Sequence, residues 1–465
     1  MTANPAASFV AETIYERLPD TVVTRVKEAL LDYTGVAIAG TSEPCALLAA
    51  QYAQSQGFAQ EAAVIGHGFK TSAESAAWVN GVIAHALDYD DTFANSVRYN
   101  MHPSVCIFPA IFALAQKYGL GGKKIIAAYA AGIEVTYRLG AMAGQLIPSR
   151  GWYPTPVLGA VGAAAACANL LGLGQEKSAM ALGIAGSLAG GLKQNVGTMT
   201  KFLHAGNAAR AGIVASCLAK SGFTAHANIF SGESNFLSVF TGGTHSNYGS
   251  ALDSLGSSWG LINSGLAYKP YPCCRATHGG IDAVLKLRRE HDLQSNEIES
   301  LTCTISPMLA RLLPYTKPNK ANQAKFSLPY CLAVALRRGK VALEDFTDSR
   351  IKSPSWQETA AKVVMKTPED WGSGAVDLLT QVSIKLNGRP LELAARVKLP
   401  KGEPENPMSE HEMNRKFMDC AQPYYSQIKI ERILDLLDHI EDQADTALFW
   451  ELLTDSDRKN EKVEG

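Results

Sequence analysis

Charge is sparse and balanced in this sequence. Asp, Glu, Lys and Arg make up 19% of 465 residues, and the formal net charge is -1. A general binder of nucleic acid or of an anionic membrane surface carries a basic excess, so neither partner is expected. A locally basic pocket remains compatible with this balance. Paired cysteines are lacking too. The nine cysteines are odd in number and contain no CxxC. The one close pair, Cys273-Cys274, is adjacent, and neighbours rarely form an unstrained disulfide. A reducing, cytoplasmic setting is the expectation.

Long apolar runs are absent as well. Gly159–Leu171 and Ala179–Leu192 are rich in Ala and Gly and too short to span a bilayer. Met1 to Glu12 has no basic segment before an apolar run and no Arg, so neither a secretory nor a mitochondrial leader is expected. The ending Lys462-Val463-Glu464-Gly465 is not a peroxisomal address. Gly119–Lys124 fails the phosphate-loop pattern, and neither GxSxG nor a strand-following GxGxxG occurs. Iron–sulfur chemistry lacks a suitable cysteine set.

Hydrophobic residues, by contrast, reach 46%, enough for substantial buried area. The length suggests two or three domains. The first 260 or so residues read as successive helices. Helical spacing runs from Pro19-Asp20 to Gly40, then over Ser72–Leu87, Pro103–Tyr118, Lys123–Ala143, Pro154–Leu171, Gln175–Leu188 and Gly206–Ser221. Small residues on several faces predict close helix packing in a bundle. The pattern then changes. Ile298, Leu301, Cys303 and Ile305 predict a strand. Val382–Leu386, Asn387-Gly388 and Leu391–Ala394 predict a hairpin on a two-residue type I′ turn. With helices over Gly279–His291 and Lys325–Leu336, this region reads as α+β. Lys401–Pro407 has linker composition, and helices follow around Ser409–Cys420, Ser426–Leu437 and Glu441–Leu453. Asp455 to Gly465 is highly charged and predicted to fray. The expected fold class is mainly α. A large helical bundle spans 1–267 and 400–465, and a smaller inserted α+β domain spans 268–399.

Three polar segments stand out. The first is His85-Ala86-Leu87-Asp88-Tyr89-Asp90-Asp91-Thr92, with His102-Pro103-Ser104 close behind. His85 and Asp88 share a helix face. The pattern admits a metal site, a turn with capping acids or a catalytic acid/base set. The second, Thr198–Asn207, puts Lys201 and His204 before an Ala-rich helix, where cations and free backbone N–H groups suit a carboxylate. A surface lysine is the simpler reading there. The third, Lys269–His278, gathers Lys269, Arg275 and His278 around Cys273-Cys274. Cations so spaced suit an acidic substrate, and they favour a thiolate at Cys274. A buried inert thiol is the simpler reading.

In this order the segments resemble the MmgE/PrpD family. The likeness also covers Leu30–Ala37, Asn80-Gly81, Lys325-Phe326-Ser327 and Pro404–Met408. The resemblance implies a helical domain, an inserted α+β lid, a site in the cleft between them and a homodimer. It implies a small polycarboxylate substrate, with no metal or organic cofactor in the decarboxylase and epimerase branches. It carries active-site roles onto Asp88, Thr92, His102, Lys201, Lys269 and Tyr330. Two positions depart from it. Many members have Gly-aromatic-His-Pro where this chain has Gly151-Trp152-Tyr153-Pro154, and Cys274 aligns with a second histidine of the animal decarboxylase. Phe93 to Met101 also reads as a longer stretch that reshapes one pocket wall.

The implied chemistry is proton transfer beside a carboxylate. Lys201 and Lys269 stabilise negative charge, His102 is the base oriented by Asp88, and Tyr153 is an acid. Thr92, His204, Cys274, His278 and Tyr330 bind substrate. Family breadth puts dehydration of a 2-methylcitrate-like hydroxy acid first. Tyr153 in place of His puts epimerisation of an iminodisuccinate-like diacid second. The departures weigh against cis-aconitate-type decarboxylation, and a non-catalytic binding protein comes last.

Overall fold

The computed structural model describes residues 4–57, 59–93, 101–243, 252–371, 378–390 and 392–455. The proposed long stretch from Phe93 to Met101 and the charged end fall largely outside them. The protein is mainly α. Its backbone divides into two compact units: residues 1–86, 90–266 and 410–465, and residues 87–89 and 267–409. Among the described residues, no helix is long and apolar enough to cross a membrane.

The first unit is a helical bundle. Its main elements are α1 (Asp20–Gly40), α2 (Ala73–His85), α3 (Ser104–Tyr118), α4 (Gly122–Ala143), α5 (Pro154–Leu170), α6 (Gln175–Leu188) and α7 (Thr200–Lys220). Helices Glu410–Ala421, Gln427–Asp438 and Ala447–Thr454 complete it. Pro154 opens α5 at a position where a missing N–H costs nothing, and every α5 residue but Asn169 is buried. Such a helix needs neighbours on all sides, which explains its Ala and Gly content. Small residues also decide where α2 meets α7. A Cβ at Gly81 would stand 2.7 Å from the Gly206 Cα, and one at Gly206 would stand 2.3 Å from the Trp78 carbonyl oxygen. Only glycine at both positions permits that approach. It brings the end of α2, with His85, beside the first turn of α7, with Lys201.

The second unit holds a four-stranded sheet of β1 (Ile298–Thr304), β2 (Val363–Lys366), β3 (Thr380–Leu386) and β4 (Glu392–Val397) in the order β2-β1-β3-β4. The β1–β2 pair is parallel; β1–β3 and β3–β4 are antiparallel. Strand alternation is visible in β3, where Val382, Ile384 and Leu386 are buried. The helices α8 (His278–His291) and α9 (Leu328–Arg338) belong to this unit. The apolar stripe Ile281, Val284 and Leu287 of α8 is buried.

Four local expectations are corrected. The hairpin exists, but Lys385 pairs with Glu392, so its connection exceeds two residues. The Leu386 carbonyl accepts from the Arg389 amide at 3.2 Å. Gly388 has φ 66°, whereas Asn387 is not among the positive-φ residues. A type I′ turn needs positive φ at both central positions. Lys401–Pro407 is not a loose linker: Glu403 in it is buried and ion-paired with Arg275. The α7 helix starts at Thr200 rather than Gly206, so Lys201 and His204 lie inside it. The last helix is shorter than expected, at Ala447–Thr454.

Candidate active site

The densest polar cluster of the first unit is built from α2, the turn after it, the start of α3 and the first turn of α7. His85 ends α2 and is fully buried. Its Nδ1 lies 3.0 Å from Asp90 Oδ2, and its Nε2 lies 3.0 Å from Lys201 Nζ. His102 Nδ1 lies 2.8 Å from the same Asp90 oxygen. The His102 amide donates to Thr155 Oγ1 at 3.2 Å, which ties the segment to the start of α5. Edge-to-face packing of the two imidazoles, with centroids 4.6 Å apart, limits their rotation.

Protonation follows from donor and acceptor rules. An ionised carboxylate only accepts, so each Nδ1 facing Asp90 carries its proton. Burial opposes the charge on Asp90, but the two imidazoles and their hydrogen bonds hold its carboxyl well below the usual range. Burial, together with Lys201 and His102, outweighs Asp90 and pushes His85 down to about 3. His85 is therefore neutral at physiological pH. With the Nδ1 proton of His102 held by Asp90, proton exchange with a substrate falls to Nε2.

The neighbouring acid behaves in the opposite way. Burial and the nearby Asp32 carboxylate raise Asp91 well above the ordinary range. Ser104 donates its hydroxyl proton to Asp91, and Tyr129 shares the Ser104 hydroxyl at 2.7 Å. Asp32 itself pairs with Lys416 at 2.7 Å. Two adjacent aspartates whose environments push their pKa values apart are a recurrent feature of acid/base sites.

Lys201 is buried, and its ammonium stands 5.9 Å from the Tyr153 ring centroid. Tyr153 is also buried and precedes Pro154 at the start of α5. Its amide donates to the Gly191 carbonyl at 2.9 Å. The His204 ring packs on Tyr153 at 5.4 Å, and burial with the Lys201 charge lowers its pKa to about 4. Thr92 is buried in a two-residue strand. Thus His102, Lys201, Tyr153 and His204, all named from sequence, lie in one unit, and contacts link Lys201 to Tyr153 and Tyr153 to His204. Among the described residues, His85, Asp90 and His102 each bring a ligating atom to within 4.8 Å of the others, a grouping that could hold a metal ion. Hydrogen bonding also accounts for all three.

Sequence reasoning misassigned one partner. It gave the role of orienting His102 to Asp88, yet Asp90 holds the His102 ring. It also left His85 without a role. The signal was present in the five-residue spacing from His85 to Asp90. It becomes readable only with the turn between them, where Asp88 adopts φ 51°. That left-handed turn lets the chain double back on the helix end. It costs a non-glycine residue about 1–3 kcal/mol.

The second unit has its own buried pair. Lys269 Nζ donates to the Asp88 carbonyl at 2.6 Å and stands 3.2 Å from Asp88 Oδ2. Both residues are buried. This pair holds the strained residue from both its carbonyl and its carboxylate. The other predicted residues of this unit have structural partners. Burial, helped by Asp88 and opposed by Lys269, pushes the Cys274 thiol up to about 12. That agrees with the simpler reading of Cys274, a buried inert thiol, and not with a thiolate. His278 is buried, and its Nε2 lies 3.2 Å from the Cys273 carbonyl oxygen. The Tyr330 hydroxyl donates to the Asp345 carbonyl, and its ring packs against Phe346. Arg275 is paired with buried Glu403. These contacts account for His278, Tyr330 and Arg275 without a substrate.

A family model described as the MmgE/PrpD N-terminal domain matches residues 5–248. The chain belongs to the MmgE/PrpD family. The model of the MmgE/PrpD C-terminal domain matches residues 271–442. Among curated proteins, the cis-aconitate decarboxylase of Mus musculus is 30% identical over 451 residues, covering 94% of this chain and 90% of that protein. The cis-aconitate decarboxylase of Homo sapiens is 29% identical over 450 residues, covering 94% and 91%. A cis-aconitate decarboxylase-like protein of Aspergillus oryzae is 27% identical, covering 96% of each chain. This MmgE/PrpD protein is accordingly an enzyme of the lyase class.

Proposed function

We propose that this lyase decarboxylates a small unsaturated polycarboxylate of the cis-aconitate type. The observation that carries the reading is the Asp90–His102 pair, in which a buried carboxylate fixes one imidazole proton and directs proton transfer to Nε2. The names of its relatives favour decarboxylation over the dehydration and epimerisation suggested by family breadth and by Tyr153.

The chemistry balances without another reactant. Protonated His102 gives the Nε2 proton to the alkene CH carbon. The bond from the saturated carbon to its carboxylate breaks, and that electron pair forms the new double bond. Carbon dioxide leaves, and His102 takes a proton back from water. Asp90 stabilises the imidazolium before transfer. The Lys201 ammonium binds a retained carboxylate in a buried setting, where its charge is worth more than in water. Tyr153, His204 and Thr92 contact substrate in this reading. In this reading Lys269 and Asp88 serve by fixing the left-handed turn at Asp88, and the protein is a homodimer, as the resemblance implies.

The test is a panel of cis-aconitate, 2-methylcitrate, citrate and iminodisuccinate, with carbon dioxide and loss of each acid both measured. Carbon dioxide from cis-aconitate alone is the expected result. Loss of water from a hydroxy acid, without carbon dioxide, would replace decarboxylation by dehydration.

A further inference from the structure

His85 lies outside the set of residues that the resemblance assigns, yet it is fully buried and bonded at both ring nitrogens. We propose that His85 is a positioning residue: neutral, with its proton on Nδ1, it presents Nε2 as the acceptor that aims the Lys201 ammonium. An ammonium has protons to give and no lone pair. The nitrogen 3.0 Å from Lys201 Nζ must therefore be bare. The other nitrogen lies 3.0 and 3.1 Å from the two oxygens of a carboxylate, so it carries the proton. A doubly protonated ring would set N–H against the ammonium.

The charged and titratable groups facing His85 are Asp90, Lys201 and His102. The Phe202 ring closes another side, edge-on at 5.7 Å. A ring so enclosed holds its acceptor in a fixed direction. One carboxylate then performs two tasks. Through His102 it sets the nitrogen that exchanges protons. Through His85 it sets where the buried cation points. Lysine has a long flexible stem, so an unheld ammonium would bind a carboxylate less well.

This inference rests on the reading of Lys201 as the anion-binding group. Its first test needs no activity. Nitrogen-15 NMR of histidine-labelled full-length protein should show His85 with a protonated Nδ1 and a bare Nε2, unchanged from pH 8 to pH 5. A proton on Nε2 anywhere in that range would overturn it. The second test compares His85→Phe with His85→Gln, whose amide oxygen can still accept from Lys201. Both are checked for folding by circular dichroism. The probe is tricarballylate, a saturated tricarboxylate that cannot react. His85→Phe should weaken its binding about 10- to 100-fold, as expected for losing a charge-assisted hydrogen bond. His85→Gln should recover most of that loss. Equal affinities in wild type and both variants would sink the positioning role. If the NMR result holds but wild type does not bind tricarballylate, the substrate reading fails and the tautomer assignment stands. If His85→Phe does not fold, His85→Gln and the NMR measurement decide.

Discussion

Lys201 and Lys269 are both buried lysines, one in each unit, and they are held in different ways. Lys269 faces a carboxylate and a carbonyl of the same residue, Asp88. Lys201 donates to an uncharged imidazole nitrogen. A carboxylate cancels much of an ammonium's field, whereas a neutral acceptor directs the ammonium without adding an opposing charge. In the proposed reading, the contrast separates a pair that holds a strained turn from a cation that meets the substrate.

The largest expected effect tests the shared carboxylate. Asp90→Asn keeps the shape of the side chain but lets its amide face the rings as a donor, which favours the wrong tautomer. Turnover should fall about 10⁴-fold, by analogy with a triad carboxylate, while circular dichroism stays unchanged. A loss below tenfold would remove Asp90 from the proton path.

The two lysines themselves come next. Lys201→Ala should cost about 10²- to 10³-fold in turnover with little change in melting temperature. Lys269→Ala breaks a buried ion pair and should cost about 3–5 kcal/mol of stability, read as a large fall in melting temperature. If the two variants lose stability equally, the contrast between them is void.

A subtler effect concerns Tyr153. Tyr153→His introduces the histidine that the family resemblance implies at this position and should shift the rate ratio between cis-aconitate and hydroxy acids. A ratio identical to wild type would make the departure neutral.

The dependence of stability on pH follows from His85 and His204. Folded-state values of about 3 and about 4 lie below the ordinary 6.5, so the unfolded chain binds more protons between those limits. Above pH 6.5 both states are neutral at these rings, and the two residues add no slope. As pH falls from 6.5 towards 4, stability should drop, with a slope approaching two protons from this pair. Urea midpoints of wild type and His204→Gln should show the variant with the shallower slope. The same slope in both would contradict the depressed value for His204.

The smallest effect belongs to Tyr330. Tyr330→Phe removes one hydrogen bond to the Asp345 carbonyl and should cost about 1 kcal/mol of stability, with unchanged KM. A raised KM would return Tyr330 to substrate binding.

Much of the fold was legible because its signals are local. The Gln175–Leu188 helix matches its expected limits, and Pro154 announces the start of α5. The hairpin was legible from alternation, but its turn was not, since Asn387-Gly388 suits more than one turn type. The helix start at Thr200 was missed because Met199 offers no capping side chain. In the site, Lys201 was named only through the resemblance: its segment alone reads as a surface lysine, whereas the residue is buried. The Asp90 partnership was not legible, because it depends on the left-handed turn at Asp88, which no spacing rule gives. The partners of His278 and Tyr330 were not legible for a related reason: sequence shows a polar atom but not the carbonyl it meets, that of Cys273 for His278 and of Asp345 for Tyr330.

The most direct measurement follows cis-aconitate by proton NMR in D2O, with wild type and His102→Gln compared at matched circular dichroism. Wild type should release carbon dioxide and give 2-methylenesuccinate with a single deuterium, on the saturated carbon that was the alkene CH. His102→Gln should be slowed at least a hundredfold, as expected for losing a general acid. Equal rates in the two proteins, or a wild-type product without deuterium at that carbon, would contradict His102 as the residue that moves the proton.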